Sequence, residues 1–327
     1  MTNKKIISTK MKFFMSFLLV SSIICFSTAF IQLYYSNFKL SNYFNVNESI
    51  LEDLFNKHSV NRTNTINGDE IFSKTFNLNE IDNINIDFNG YTVFLKSYPG
   101  DTLSLYAYSS EGIQIQNNND FISSNVDNKT LNLLPSSNLS SVVNNKKNID
   151  FLIKIPYSYS NNLSANLFSG SIKLDNLTLK SLNLKSISSD ISLSNITCET
   201  SNISNTNGNI TTNTFRTKDL YLNTINGNIS STELSGKVML STVNGNVSAL
   251  ISPSLTNIDI NTTSGEVYLS TPNDSNLSIN YSTVNGDFYK NKDNNKQLNK
   301  ENVSLTLGDG STKANIKTVS GNLNLSY

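Results

Sequence analysis

Tryptophan is absent from this 327-residue chain, histidine occurs once, cysteine twice and proline five times. Two cysteines make no disulfide framework, and they fall far apart: Cys25 lies in an apolar N-terminal run and Cys198 deep in a polar repeat. The single histidine, His58, can build neither a zinc cluster nor a Ser-His-Asp set, and it reads as a solvated linker residue. Charge is scarce as well, at 15% of residues, and the 25 basic and 25 acidic side chains cancel. A chain without a net positive field is not built to collect nucleic acid, so no nucleic-acid partner is expected. Neither the phosphate-cradling G-x-x-x-x-G-K-[ST] pattern nor the calcium-binding GGxGxD pattern occurs, and no cofactor or metal is expected.

What is present instead is amide and hydroxyl. About one residue in six is Asn, and Ser and Thr are also heavy, a mixture that suits turn-dense strands better than amphipathic helices. The N-terminus differs. Lys4, Lys5, Lys10 and Lys12 precede an uncharged stretch over 13–35, long enough to cross a hydrocarbon core of about 30 Å. The positive-inside rule then keeps residues 1–12 in the cytoplasm and sends the rest outward, with membrane lipid as the partner of 13–35. The competing reading is a signal peptide cleaved near Ala29, since Ser27-Thr28-Ala29 offers the small residues a signal peptidase needs. A polar connector follows over 36–75. Within it Ile50, Leu51, Leu54 and Phe55 stand at helical spacing behind Ser49, which predicts one short helix.

From residue 76 the apolar period is two, and self-similarity becomes the strongest signal. Aligned turns are centred on Gly170, Gly208, Gly227, Gly245, Gly265, Gly286 and Gly321, with Ser189 in the place of a glycine. From Gly170 to Gly286 the steps are 19, 19, 19, 18, 20 and 21 residues, so one structural unit is repeated. Five residues before the turn stand Leu184, Ile203, Leu222, Leu240, Ile260, Tyr281 and Ile316, and two after it stand Ile172, Ile191, Ile210, Ile229, Val247, Val267, Phe288 and Leu323. Both columns are inward. Three before the turn, Thr224, Thr242, Thr262, Thr283 and Thr318 form a threonine column whose hydroxyls are expected to bond along the stack.

Two architectures produce such a pattern: antiparallel hairpins with type I′ Asn-Gly turns, and an all-β solenoid of stacked coils. Like residues recurring every 19 positions favour the β-solenoid, because stacked coils place equivalent residues above one another and hairpins do not. The predicted organisation is an irregular β cap region over 76–160 and a repeat solenoid over 161–327, with a charged loop inserted at 290–302. Segments 117–128 and 135–148 read as loops, and the C-terminal strand reads as an exposed edge.

The run IDNINIDFNGYTVF over 81–94, followed by recurrent S/N-G-D/N/E-I/V turns, resembles the bacterial DUF4097 family, a β-strand-repeat family that carries an adhesin label. The likeness extends over about 76–327. It implies an N-terminal membrane segment, as is usual in relatives, some of which accompany envelope-stress regulatory systems. It supplies no catalytic residue. Ser189 and the insertion before Gly321 depart from the pattern.

Three functional readings follow. The first is a non-enzymatic, membrane-tethered, extracytoplasmic module, an adhesin that binds another envelope or membrane protein or a surface glycan, or a structural spacer. The second is a signalling accessory acting through a membrane partner, because a cytoplasmic tail of about twelve residues holds no output domain. The third is a glycan-active enzyme, for which the acids after the turn are the only candidates. Asp190, Glu266 and Asp287 occupy that column, and Glu266 and Asp287 are expected in adjacent coils about 4.8 Å apart. Polar turn chemistry explains them equally. Tyr268 and Tyr289, beside Glu266 and Asp287, form a candidate partner surface, while Tyr281 and Phe288 are expected in the core.

Overall fold

The computed structural model describes residue 66 and residues 68–327, apart from 111–120, 138, 140–148, 273, 291–296 and 299–301. These residues belong to one unit, Ile66–Tyr327. The expected anchor, the connector helix, Cys25 and His58 all lie outside the described residues. Among those described, no helix is long and apolar enough to cross a membrane.

The chain is all-β. Seven strands come first: β1 (Asp69–Asn77), β2 (Asn83–Asp87), β3 (Tyr91–Tyr98), β4 (Thr102–Ser109), β5 (Ile122–Asp127), β6 (Thr130–Pro135) and β7 (Ile149–Pro156). Five long ones follow, β8 (Asn162–Asp175), β9 (Thr178–Ser204), β10 (Ile210–Asn226), β11 (Ile229–Asn244) and β12 (Val247–Ser264). The C-terminal part holds β13 (Val267–Ser270), β14 (Leu277–Ser282), β15 (Phe288–Lys290), β16 (Gln297–Leu298), β17 (Asn302–Leu307), β18 (Thr312–Ser320) and β19 (Leu323–Ser326).

Parallel pairing of like on like carries the repeat. Ile191 pairs with Ile210, Ile210 with Ile229 and Ile229 with Val247, and before the turn Ile203, Leu222, Leu240 and Ile260 align in the same way. Hairpins are thereby excluded for the repeat. The two inward columns predicted from the alternation are buried throughout, from Leu184 to Ile316 and from Ile172 to Leu323. Burying each Leu or Ile side chain contributes roughly 1.5–3 kcal/mol, so the core grows with every coil.

Each coil also bends a second time, at a position that shares no residue class from coil to coil. Asn176, Asn195, Thr214 and Glu233, spaced by 19, adopt left-handed backbone with φ of 54°, 52°, 53° and 54°. That residue shifts the alternation by one place. Ile191 and Leu193 point inward before the bend, and Ile196 and Cys198 point inward after it. A third inward column of Ile196, Phe215, Leu234 and Ile251 results, which a strict period of two does not reveal.

The turn glycines owe their identity to close stacking. Only some, such as Gly170 and Gly208 (φ 116° and 125°), need positive φ. A Cβ on Gly227, Gly245, Gly265, Gly321 or Gly286 would instead overlap the carbonyl oxygen of the turn glycine in the neighbouring coil. The threonines bond along the stack as expected, mostly through the backbone: Thr224, Thr242 and Thr262 donate to the carbonyls of Gly208, Gly227 and Gly245 in the neighbouring coil, at 3.2, 3.0 and 3.3 Å, and the Thr318 hydroxyl donates to that of Thr283 at 2.8 Å. Where the coil has Asn205 in the threonine position, its amide donates to the Ser189 carbonyl at 2.6 Å.

Both ends of the ladder depart from the simple order of the sequence. At the start, β2 and β3 already form a rung on β8, with Ile84 against Leu163 and Val93 against Ile172, so regular stacking begins within the region read as an irregular cap. Strands β6 and β5 extend one side of that rung, and β7, β4 and β1 the other. Residues 122–127, read as loop, are β5.

At the far end the last coil in sequence is not the last in space. Strands β18 and β19 insert between the coil that precedes them by about 55 residues and the coil of β14 and β15: Ile260 pairs with Ile316, and Ile316 with Tyr281. Val267, Leu323 and Phe288 form the same sequence of three. The C-terminal strand is therefore interior, in contrast to the exposed edge expected. Part of the charged insertion is ordered as β16 and the start of β17, which run antiparallel along β15 and β14 and end the ladder.

Two outcomes are expected. Gly245→Ala lowers stability by about 1–3 kcal/mol through overpacking of the turn, read as the denaturant midpoint. Thr242→Val leaves the Gly227 carbonyl without its donor and costs about 1–3 kcal/mol at nearly constant volume, with urea unfolding as the measurement.

Candidate functional site

The column after the turn glycine is where chemistry was sought, and its side chains are occupied by the fold. Asp190, Asn209, Asn228 and Asn246 each accept the backbone N–H of the equivalent residue in the next coil, at 2.9, 3.0, 2.8 and 2.9 Å. Asn322 does the same for the N–H of Asp287 at 2.8 Å. A carboxylate and a carboxamide serve equally in this role, which accounts for the mixture of Asp and Asn along the column.

The inserted C-terminal coil separates the two acids expected to be adjacent. Asn322 stands between Glu266 and Asp287, so they lie two strand spacings apart, roughly 9–10 Å, rather than one. Glu266 is held from several sides. Asn322 Nδ2 donates to its Oε1 at 3.3 Å, Asn324 Nδ2 to its Oε2 at 3.4 Å, and the Tyr268 hydroxyl also donates to Oε2. Tyr289 donates to Asp287 at 3.4 Å. The result is a patch in which Tyr268 and Tyr289 flank Asn324, while Glu266 and Asp287 flank Asn322. Both tyrosines are half-buried, where the sequence suggested exposed positions. A shallow depression of about 420 Å³ runs over Gly265, Glu266, Gly286, Asp287, Gly321 and Asn322.

Burial, followed by the hydrogen bond and charge of Glu266, pushes the Tyr268 hydroxyl well above the ordinary tyrosine value. Tyr281 and Phe288 are core residues as expected, with ring centroids 6.2 Å apart. Cys198 is buried, and burial raises its thiol pKa, the opposite of what an activated nucleophile needs. Among the described residues no three His, Cys, Asp or Glu side chains gather in a way that would hold a metal ion.

Two surfaces escaped the sequence reading. One is a groove of about 610 Å³ on the outer face of the strands that precede the turn, where Asp259, Asn315, Asn280 and Ser304 form a row across four strands. Their side chains are linked at 2.8, 3.3 and 3.0 Å, with Met239 and Lys317 beside them. It could not be found by spacing, because the row exists only once β18 inserts between β12 and β14. The other is a column two residues before the turn that is apolar in six of the eight coils: Phe168, Ile187, Ile225, Val243, Val319 and Val284, all exposed. Its signal was available, since these side chains fall on the outward phase of the alternation and are apolar nonetheless.

Parallel coils in register, inward aliphatic columns and a hydrogen-bonded turn ridge define a β-repeat protein. The chain belongs to the Toastrack DUF4097 family, whose model matches residues 81–326. Curated proteins yielded no match. Several solved structures are similar at low identity. A "putative cell adhesion protein" from Clostridium sporogenes ATCC 15579 is 15% identical, with 80% of this chain and 99% of that one covered and a TM-score of 0.31. A "putative adhesin" from Bacteroides fragilis NCTC 9343 is 14% identical over 78% and 96%, with a TM-score of 0.47. Another, from Parabacteroides distasonis ATCC 8503, is 12% identical over 80% and 98%, with a TM-score of 0.43.

The raised pKa of Tyr268 implies an alkaline limit to stability. Its contribution is complete below the unfolded tyrosine value of about 10 and is lost as pH climbs toward the folded value. Thermal melts above pH 10 are expected to fall less steeply for Tyr268→Phe than for the unmodified chain.

Proposed function

We propose that this chain is a non-enzymatic, membrane-tethered β-solenoid displayed outside the cytoplasm, which binds another envelope component through its outward strand faces. The observation that carries the reading is the groove of Asp259, Asn315, Asn280 and Ser304. A row of amide, hydroxyl and carboxylate groups is fixed at strand spacing by its own hydrogen bonds, with Met239 and Lys317 alongside. Such a surface loses little conformational entropy on binding and offers donors and acceptors to an extended polar partner, either a surface glycan or a protein segment. The patch of Tyr268, Glu266, Asp287 and Tyr289 is a second contact area on the other face, with aromatic edges beside fixed acids.

The engagement of the candidate acids among the described residues supports a binding role over catalysis. Glu266 and Asp287 are engaged by neighbouring Asn and Tyr side chains, and Asn322 stands between them. Tethering rests on the apolar stretch over 13–35, and outward display on the lysines before it.

Retention of the full chain on isolated cell-envelope material tests the proposal. Asn280→Ala combined with Ser304→Ala removes exposed side chains from the groove and is expected to reduce retention roughly tenfold, with the melting temperature little changed. Undiminished retention by that variant would remove the groove from the binding surface. Turnover of an envelope glycan that disappears in Glu266→Gln would overturn the non-enzymatic reading.

A further inference from the structure

The apolar column two residues before the turn is unlike the rest of the exterior. In spatial order it runs Phe168, Ile187, Thr206, Ile225, Val243, Thr263, Val319 and Val284, along a single edge of the ladder. The neighbouring residues pair from coil to coil without interruption, from Ser169 with Ser188 to Ser320 with Asn285. Eight rungs at strand spacing make a stripe about 34 Å long. Its aliphatic and aromatic members are between 40% exposed at Val243 and 72% exposed at Val284. Isolated exposed apolar residues are ordinary, but six of them along one edge, interrupted only by Thr206 and Thr263, mark a surface that is covered in use.

The flanks say what covers it. Two residues before the stripe, on one side, the column contains Lys185 and Lys317 and no acid; three residues after it, across the turn, the column contains Asp190, Glu266 and Asp287 and no base. Lys185 and Lys317 are exposed, and neither makes an ion pair with any described residue. One flank is therefore basic and the other acidic, at matching levels of the ladder. Lys185 and Asp190 belong to the same coil, and Lys317 lies level with Asn322, between the levels of Glu266 and Asp287.

We infer that the stripe is the contact surface for a second copy of this chain, packed side by side and parallel about a two-fold axis that runs along the stripe. In that arrangement the basic flank of each copy meets the acidic flank of the other at the same level. Lys185 approaches Asp190 of the second copy, and Lys317 approaches Glu266 and Asp287. The apolar residues meet their own counterparts rung by rung, because both stripes share one spacing. An antiparallel pair would bring Lys185 opposite Lys317 and set acid near acid, which like-charge repulsion disfavours. Two-fold closure of this kind uses a single self-complementary patch, as the commonest homodimers do.

The test uses the full chain in detergent, with Cys25→Ser to remove a competing thiol. Val284→Cys and Phe168→Cys, at opposite ends of the stripe, should each form a disulfide-linked dimer on mild oxidation, whereas Tyr157→Cys, exposed elsewhere, should not. Lys185→Asp and Asp190→Lys should each weaken the dimer roughly tenfold in sedimentation, and the double variant should restore it. The inference is overturned if neither end variant gives a dimer. It is equally overturned if disulfides form only in a mixture of the Val284→Cys and Phe168→Cys chains, which would mean an antiparallel pair. A chain that stays monomeric in detergent, and whose Val243→Cys thiol carries a polarity-sensitive label that reports burial in lipid after reconstitution into phospholipid vesicles, would assign the stripe to lipid instead.

Discussion

The close approach of backbone at the turns governs this structure. The turn glycines stack so tightly that a methyl group on one would overlap the carbonyl of the glycine beside it, and that carbonyl, partly buried, takes a side-chain donor. A threonine three residues before the turn supplies it in most coils, and an asparagine in one. The residue after the turn then bonds the N–H of its neighbour. Glycine, threonine and asparagine at these places are thus parts of one arrangement: remove the glycine and the coils separate, remove the threonine and a buried acceptor is orphaned. The inward aliphatic columns stabilise the stack, but their register follows from the turn.

This dependence explains which features could be read from sequence. The period of 19, the inward columns and the threonine column were legible because each corresponds to one physical environment met once per coil. Ser189 could be assigned to a glycine position for the same reason, and it pairs with Gly170 as that assignment requires. The second bend was not legible. Asn195, Thr214 and Glu233 share a backbone conformation but no side-chain class, and Thr and Glu are not the residues a left-handed position favours. Nor was the exchange of the last two coils. Ile316 and Tyr281 satisfy the same column, as do Leu323 and Phe288, so column chemistry alone gives no reason to place one coil outside the other. The expected contact between Glu266 and Asp287 failed on this point, and so did the expected C-terminal edge.

Where the polar side chains go also bears on function. In most of the ladder they are consumed by neighbours, coil on coil, which leaves their variation between Asn, Asp and Ser chemically neutral for the fold. Two surfaces stand out against this background: the groove where a linked polar row lies beside Met239 and Lys317, and the apolar stripe along the turn edge. Both require several coils to exist at all, since each coil contributes only one or two side chains to them. Each surface is therefore spread across the repeat, and a single coil does not carry it.

The insertion of β18 and β19 between two earlier coils has a temporal side. A chain that emerges from its N-terminus can stack each coil on the last as far as Ser270, but the coil of β14 and β15, although it already has β16 and β17 on one side, has no coil to stack on until residues 312–326 arrive. The penultimate coil must wait, and the final strand closes the ladder from within, as a bolt closes a latch. The order of stacking in space thus differs from the order of synthesis: without β18 and β19 the ladder would lack an interior layer and leave a gap in its core.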